Sequence, residues 1–226
     1  MPLFSVIIPT RNRPDYLKEA CASVLQQSHG NLELLIVNDG DDMPTPSPDK
    51  RVRILNNHKR GAVPARNLGV AEATGSMIAF LDDDDFWTDP QHLEKALIAQ
   101  SDFYFADGDM IFPDGKIKPF AKTATVETLE HDNTILISAV CYKRSIHETL
   151  GQFDETLPYY WDWDWYLRVS RGGFHLYHQT DPAVRIRVHP QNMSGGNDAA
   201  RRANLDLMIA RHNLGSIPLK NHTDFV

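Results

Sequence analysis

Cysteine is almost absent from the chain. Cys21 and Cys141 are the only two in 226 residues, far apart and without metal-type spacing. They read as free thiols in a reducing compartment, with a single disulfide as the alternative. Long apolar runs are missing too: none approaches the roughly 20 residues that span a bilayer, and no basic region leads into an apolar segment of signal length. The expectation is a cytoplasmic protein with at most peripheral membrane association. Basic charge is not in excess, since 23 Lys and Arg face 30 Asp and Glu for a net charge of −7. That balance gives no reason to expect nucleic acid as a partner. Internal repeats and low-complexity segments are likewise absent.

What is present is ordinary in amount, 42% hydrophobic and 23% charged residues. It suffices for one sizeable soluble domain, alone or with an appended subdomain. The order of residues says more. Phe4 to Pro9, Leu32 to Val37, Arg51 to Leu55 and Met77 to Leu81 are short apolar runs that read as strands. Between them Tyr16, Leu17, Ala20, Val24 and Leu25 recur at helical spacing, and Ala62 to Ala73 read as a second helix. This alternation predicts an α/β fold with a parallel, doubly wound sheet.

Thr88-Asp89-Pro90 predicts a helix with a cap and an N1 proline, carrying Leu93, Ala96, Leu97 and Ile98. After Gln100 the alternation stops. Short strands are predicted at 103–106, 110–112 and 116–118, a longer one at 134–142 and a last one at 183–188. Helices are expected over 145–150, 161–171 and 198–212.

Asp82, Asp83, Asp84 and Asp85 form a run of four carboxylates between an apolar strand and a helix. Such a run is self-repelling unless solvent or a cation neutralises it. Its place at the carboxyl end of a strand is where open α/β sheets bind ligands, and hard oxygen donors there suit Mg2+ or Mn2+. A solvated acidic turn is the plain alternative. Asp39, just past the second strand, offers a hydrogen-bond acceptor to a ligand or else closes an Asx turn before Gly40. Trp161, Trp163, Trp165, Tyr159, Tyr160 and Tyr166 crowd one segment, and helical geometry cannot put all of them on one side. Core packing is the default for each.

Five segments in order resemble family 2 glycosyltransferases, which have the GT-A fold. They are Val6-Ile7-Ile8-Pro9-Thr10-Arg11-Asn12-Arg13, Leu35 to Gly40, Gly61 to Gly69 with Ala73-Thr74-Gly75, Phe80 to Trp87, and Gly151 to Glu155 with Asp162 to Arg168. The resemblance runs from Phe4 to about Ser194. It implies an inverting, metal-dependent transferase that moves a sugar from a nucleoside-diphosphate sugar, a UDP-sugar, to a hydroxyl of a glycan or lipid-linked saccharide. By the same resemblance Asp39 accepts from the base, with Thr10 and Arg13 flanking that pocket and Arg66 beside the pyrophosphate; an exposed helix charge is the alternative for Arg66. Asp84 and Asp82 bind Mn2+ or Mg2+, Asp82 or Asp83 reaches the ribose, and His189 completes the metal site, a structural role after a strand being its alternative. Asp85 orients the site or caps the next helix, and the basic segment Arg185, Arg187 and His189, then Ser194, returns toward the pyrophosphate.

Asp162 is the implied general base, at the aspartate of a Glu-Asp pair in the family pattern. Here Trp161 stands where that glutamate is expected, and Asp164 is the fallback base. A structural role at the helix N-terminus is the alternative for Asp162. The implied organisation is a single domain with a nucleotide-sugar half at 1–101, an acceptor half at 102–197 and a closing helix and tail at 198–226. Two other classes fit some of these residues: a sugar-nucleotide binder without turnover, and a nucleotidyltransferase, for which no glycine-rich, lysine-bearing phosphate loop is seen.

Overall fold

The computed structural model describes residues 1–42, 44, 48–190, 192–193 and 198–220. At its centre lies a mixed sheet of nine strands. β1 (Phe4–Thr10) is flanked by β2 (Leu32–Asn38) and β4 (Met77–Phe80), both parallel to it, and β3 (Val52–Asn56) extends the β2 side. β1, β2 and β4 are covered on both faces, which is why they read as continuous apolar runs rather than alternating ones. Phe4, Val6 and Ile8 point to α1 (Pro14–Leu25), while Ile7 points to α2 (Ala62–Glu72). The packing against α2 is close. A Cβ on Gly69 would lie 2.5 Å from Ile7 Cγ2, so this helix position admits only glycine.

Past β4 the chain departs from simple winding. β5 (Phe86–Trp87) precedes α3 (His92–Ile98), and β6 (Phe103–Ile111) runs as one strand where the sequence predicts two. A register shift between Ala106 and Gly108 absorbs the polar interruption and keeps the pairing with the last strand continuous. β7 (Ile117–Phe120) forms the hairpin partner of β6, and the short helix α4 (Val126–Leu129) follows. The strand expected at 134–142 is only partly strand. Residues Ile137–Ala139 form a 3₁₀ turn, and β8 (Val140–Lys143) lies antiparallel between β4 and β6. Ser138 leaves the ladder for a reason: its hydroxyl donates to Asp85 Oδ2 at 2.6 Å and its carbonyl accepts from Trp87 Nε1 at 2.7 Å.

α5 (Ser145–Leu150), α6 (Trp161–Arg171), β9 (Leu176–Arg187) and α7 (Asp198–His212) complete the order. β9 starts earlier than the apolar run at 183 suggests, because Leu176 to Gln179 pair with Phe103 to Ala106. The expected N1 proline is also displaced. α3 begins at His92, and Asp89 instead holds the preceding turn by accepting from Gln91 N–H at 2.9 Å. Cys21 and Cys141 are both free and buried, with no disulfide between them. No helix among the described residues is long and apolar enough to cross a membrane.

Candidate active site

The strand order β3-β2-β1-β4 means that the chain leaves β1 to one side for β2 and returns on the other side as β4. The crevice past the carboxyl ends of β1 and β4 is therefore a topological switch point. Residues 73 positions apart meet there: Thr10 Oγ1 donates to Asp83 Oδ2 at 2.7 Å. Arg11 N–H adds a 3.3 Å bond to the same oxygen, and Arg13 Nη1 reaches Asp83 Oδ1 at 3.2 Å.

Each aspartate of the run has its own surroundings. Asp82 pairs with Arg66, a buried arginine of α2. Asp84 Oδ2 receives both Arg13 Nη1 at 2.5 Å and His189 Nε2 at 2.9 Å. Asp85 does not cap α3, one of the two roles expected for it. Its two oxygens accept from Ser138 Oγ and from Arg187 N–H at 3.1 Å, so it is tied inward to the sheet. Burial pushes the Asp83 carboxyl up to about 6, with the Asp84 charge adding to that against Thr10 and Arg13. Burial also raises Asp85 well above the ordinary range, and Asp84 and Asp82 raise it further. Asp82 is raised by burial as well, with Arg66 opposing.

Among the described residues, Asp82, Asp84 and Asp85 each offer a carboxylate oxygen within 4.8 Å of the others. This all-oxygen donor set fits a hard divalent cation. Asp85 is the member that the sequence reading assigned elsewhere.

Asp39 sits at the end of β2. The Asx turn expected as its alternative role is made by its neighbour: Asn38 Oδ1 accepts from Gly40 N–H at 2.9 Å. Asp39 Oδ1 instead accepts from Asn57 Nδ2 at 2.7 Å and Gly61 N–H at 2.8 Å. Among the described residues both donors fall on Oδ1. Gly61, with φ of 110°, supplies its N–H from a conformation that other residues rarely adopt.

α6 comes to the same edge by way of Arg66, whose guanidinium lies 4.5 Å from the centroid of the Trp161 ring. Thus Trp161 holds the face of the arginine whose edge holds Asp82. Asp162 follows in the first turn of α6 and accepts from Asn133 Nδ2 at 2.9 Å. Burial raises the Asp162 carboxyl, while Asn133 and the Trp163 N–H pull it back. Tyr160, just before, is held in the left-handed region at φ 58°. Trp161, Trp163, Trp165 and Tyr166 are all buried in the core, as the default reading has it.

Asp164 is not brought to this group. It is 1% exposed and accepts from His212 Nε2 at 2.8 Å and Arg168 Nε at 2.9 Å, which pins α7 to α6. Burial raises its carboxyl, but His212 and Arg168 outweigh that and leave it below the ordinary range. A group with a depressed folded pKa stabilises above its unfolded value and loses that contribution as pH falls. Asp164→Asn is expected to destabilise the fold by about 3 kcal/mol, because the buried Arg168 pair loses its counter-charge. A lower urea midpoint at neutral pH with unchanged slope checks this; an unchanged midpoint would refute it.

Arg187 donates to the Asp84 carbonyl at 2.7 Å, and its guanidinium packs 4.6 Å from the Phe86 ring centroid. Ser194 lies outside the described residues. Asn57, Asn133 and Ser138 escaped the sequence reading, since each acts on a partner far along the chain and carries no local pattern.

The glycosyl transferase family 2 profile matches residues 5–102. The uncharacterized glycosyltransferase YwdF of Bacillus subtilis is 33% identical over 238 residues, covering 96% of this chain and 87% of its own. An uncharacterized glycosyltransferase of Rickettsia felis is 41% identical over 109 residues, covering 45% of this chain and only 18% of its own. S. aureus TarS 1-349, solved in complex with UDP-GlcNAc, superposes with a TM-score of 0.72 at 17% identity, over 92% of this chain and 65% of that 1-349 chain. The fold is GT-A, and the chain belongs to glycosyl transferase family 2 and is a glycosyltransferase.

Proposed function

We propose that the chain transfers a sugar from a UDP-sugar to a hydroxyl of a glycan or lipid-linked saccharide, with inversion and with Mn2+ or Mg2+ present. The observation that supports this reading is the chain of contacts from Asp82 through Arg66 to Trp161, the residue that precedes Asp162 in the first turn of α6. TarS binds UDP-GlcNAc and UDP on the same fold, which supports a UDP-sugar donor here.

In this reading residues 1–101 are the donor half, 102–197 the acceptor half, and 198–226 the closing helix and tail. Asp39 Oδ2 accepts the imide N–H of uracil, while Oδ1 is held by Asn57 and Gly61. Thr10 and Arg13 flank the nucleoside, Arg13 on its diphosphate side, with Asp82 or Asp83 on the ribose and Arg66 and Arg187 toward the diphosphate. Asp84, Asp82 and Asp85 would hold the cation, with His189 beside Asp84. When bound, such a cation supplies charge neutralisation to the departing diphosphate. Asp162 takes the proton as the acceptor oxygen bonds to the anomeric carbon and the bond from that carbon to the diphosphate breaks. Asn133 holds one oxygen of that base in place.

The direct test incubates the protein with UDP-sugars, with and without hydroxyl acceptors, and measures UDP release. Acceptor-dependent release supports transfer; neither transfer nor donor hydrolysis marks a binder. A sharper expectation concerns the base. Asp39→Asn keeps the acceptor for Gly61 and Asn57 but turns the second oxygen into a donor. UDP should then bind more weakly, by about 1.5–3 kcal/mol, the usual scale for losing a charged hydrogen bond. CDP, whose cytosine presents an acceptor at that ring nitrogen, should gain on UDP. Full retention of UDP affinity and preference in calorimetric titration would move the base pocket elsewhere.

A further inference from the structure

Arg13 occupies an unusual position. One of its terminal nitrogens spans two carboxylates, Asp83 Oδ1 at 3.2 Å and Asp84 Oδ2 at 2.5 Å. Asp84 Oδ2 also takes His189 Nε2 at 2.9 Å, and Asp82 is engaged by Arg66. The run that sequence reading treats as waiting for a cation is thus already compensated from within, and among the described residues Asp85 is satisfied through Ser138 and a backbone N–H and not by a cationic side chain. Arg66 is fixed in this role, buried and stacked on Trp161. Arg13 is different: its side chain retains 29% of its exposure, while that of Asp84 retains 10%. It is the compensating guanidinium with room to leave.

We infer that Arg13 is a resident counter-cation of the aspartate run, which opposes divalent-cation binding until a nucleoside diphosphate gives it another anion. The inference rests on the reading of Asp84 as a metal ligand. If the ion takes Asp84 Oδ2, the Arg13 bond must break. If it takes the other oxygen, a guanidinium remains within a few ångströms of a dication, which is repulsive in a poorly solvated site. Either way the protein without nucleotide binds the ion weakly. A diphosphate relieves the conflict, since two adjacent phosphates offer a guanidinium bidentate partners as good as the carboxylates it gives up. Metal and nucleotide then bind with positive coupling, and linkage makes the effect of each on the other equal. Part of that coupling belongs to the protein, through Arg13, and not to the direct contact of ion with phosphate.

The prediction runs against the usual effect of deleting a site residue. Mn2+ alone, titrated by electron paramagnetic resonance or calorimetry, should bind Arg13→Gln and Arg13→Met at least fivefold more tightly than the wild type. Arg13→Lys, which keeps the charge, should stay near the wild type. The factor by which Mn2+ raises UDP affinity should shrink by the same fivefold or more in the Gln and Met variants. Thermal melts of each variant without ligand report whether the fold is kept, and two neutral variants guard against one failing to fold. Mn2+ affinity in both neutral variants equal to or weaker than wild type overturns the inference. If the wild type with UDP binds Mn2+ and Asp84→Asn does not, the metal assignment survives that failure. Should the wild type bind no Mn2+ even with UDP, the assignment and the inference fall together.

Discussion

Asp162→Asn is expected to lower sugar transfer by about 10²–10⁴-fold, the usual scale of general-base catalysis, while leaving UDP and metal affinity unchanged. The amide keeps the shape and can still face Asn133, but it cannot hold a proton. Because burial raises this carboxyl against the pull of Asn133, its titration lies above the ordinary carboxylate value of about 4. The base works unprotonated, so kcat at saturating donor and metal, where the raised carboxyls of Asp82, Asp83 and Asp85 are already engaged, should climb with pH through an acid limb above that value. In Asp162→Asn this limb should flatten. Asp164→Asn carries the same change of charge two residues along, and its effect should appear in stability instead of the acid limb. Loss of transfer with an intact acid limb in Asp162→Asn would give the base to another group.

Asp84→Asn should have the second-largest effect. Stabilising a departing diphosphate by a cation is worth several kcal/mol, so transfer should fall by roughly 10²-fold or more. Binding separates this from the first variant. Asp162→Asn keeps the gain in UDP affinity that Mn2+ provides; Asp84→Asn should lose most of it and retain the metal-free affinity. Equal weakening of UDP with and without Mn2+ would remove Asp84 as a ligand. The substitution also removes the negative charge from the oxygen that Arg13 and His189 share, so a measured change in melting temperature must accompany the binding data.

Some of this was legible because the physics is local. An apolar run of five or six residues that ends in a polar turn becomes a buried parallel strand, and its ligand-bearing residues fall at its carboxyl end. Asp39 and the aspartates stand out that way, by composition and position along the chain, whereas Thr10 is singled out only by the family resemblance. Helix periodicity likewise gave α1 and α2, and the five ordered segments pointed to the family. Where local patterns misled, a distant partner intervened. Residues 134–142 have the composition of a strand, but Ser138 turns out of it to hold Asp85 and Trp87. Asp107 and Gly108 look like a break, yet pairing with β9 carries β6 through them.

By itself the sequence determined the parallel strands β1 to β4 and the presence of a carboxylate run at a strand end, since each depends on residues within a few positions of one another, and the order of five such segments pointed to the family. Only the tertiary structure decided how the four aspartates divide their partners. Thr10 meets Asp83 across 73 positions and His189 meets Asp84 across 105, through strand order and register that no local pattern encodes. It also separated Asp162 from Asp164. The two have the same side chain and nearly the same place on a helix, but one turns toward Asn133 and the other toward His212 and Arg168. A helix rotates its residues by about 100° each, so two positions part by roughly 200° and face opposite sides of the element. Which side becomes site and which becomes core is set by what packs there.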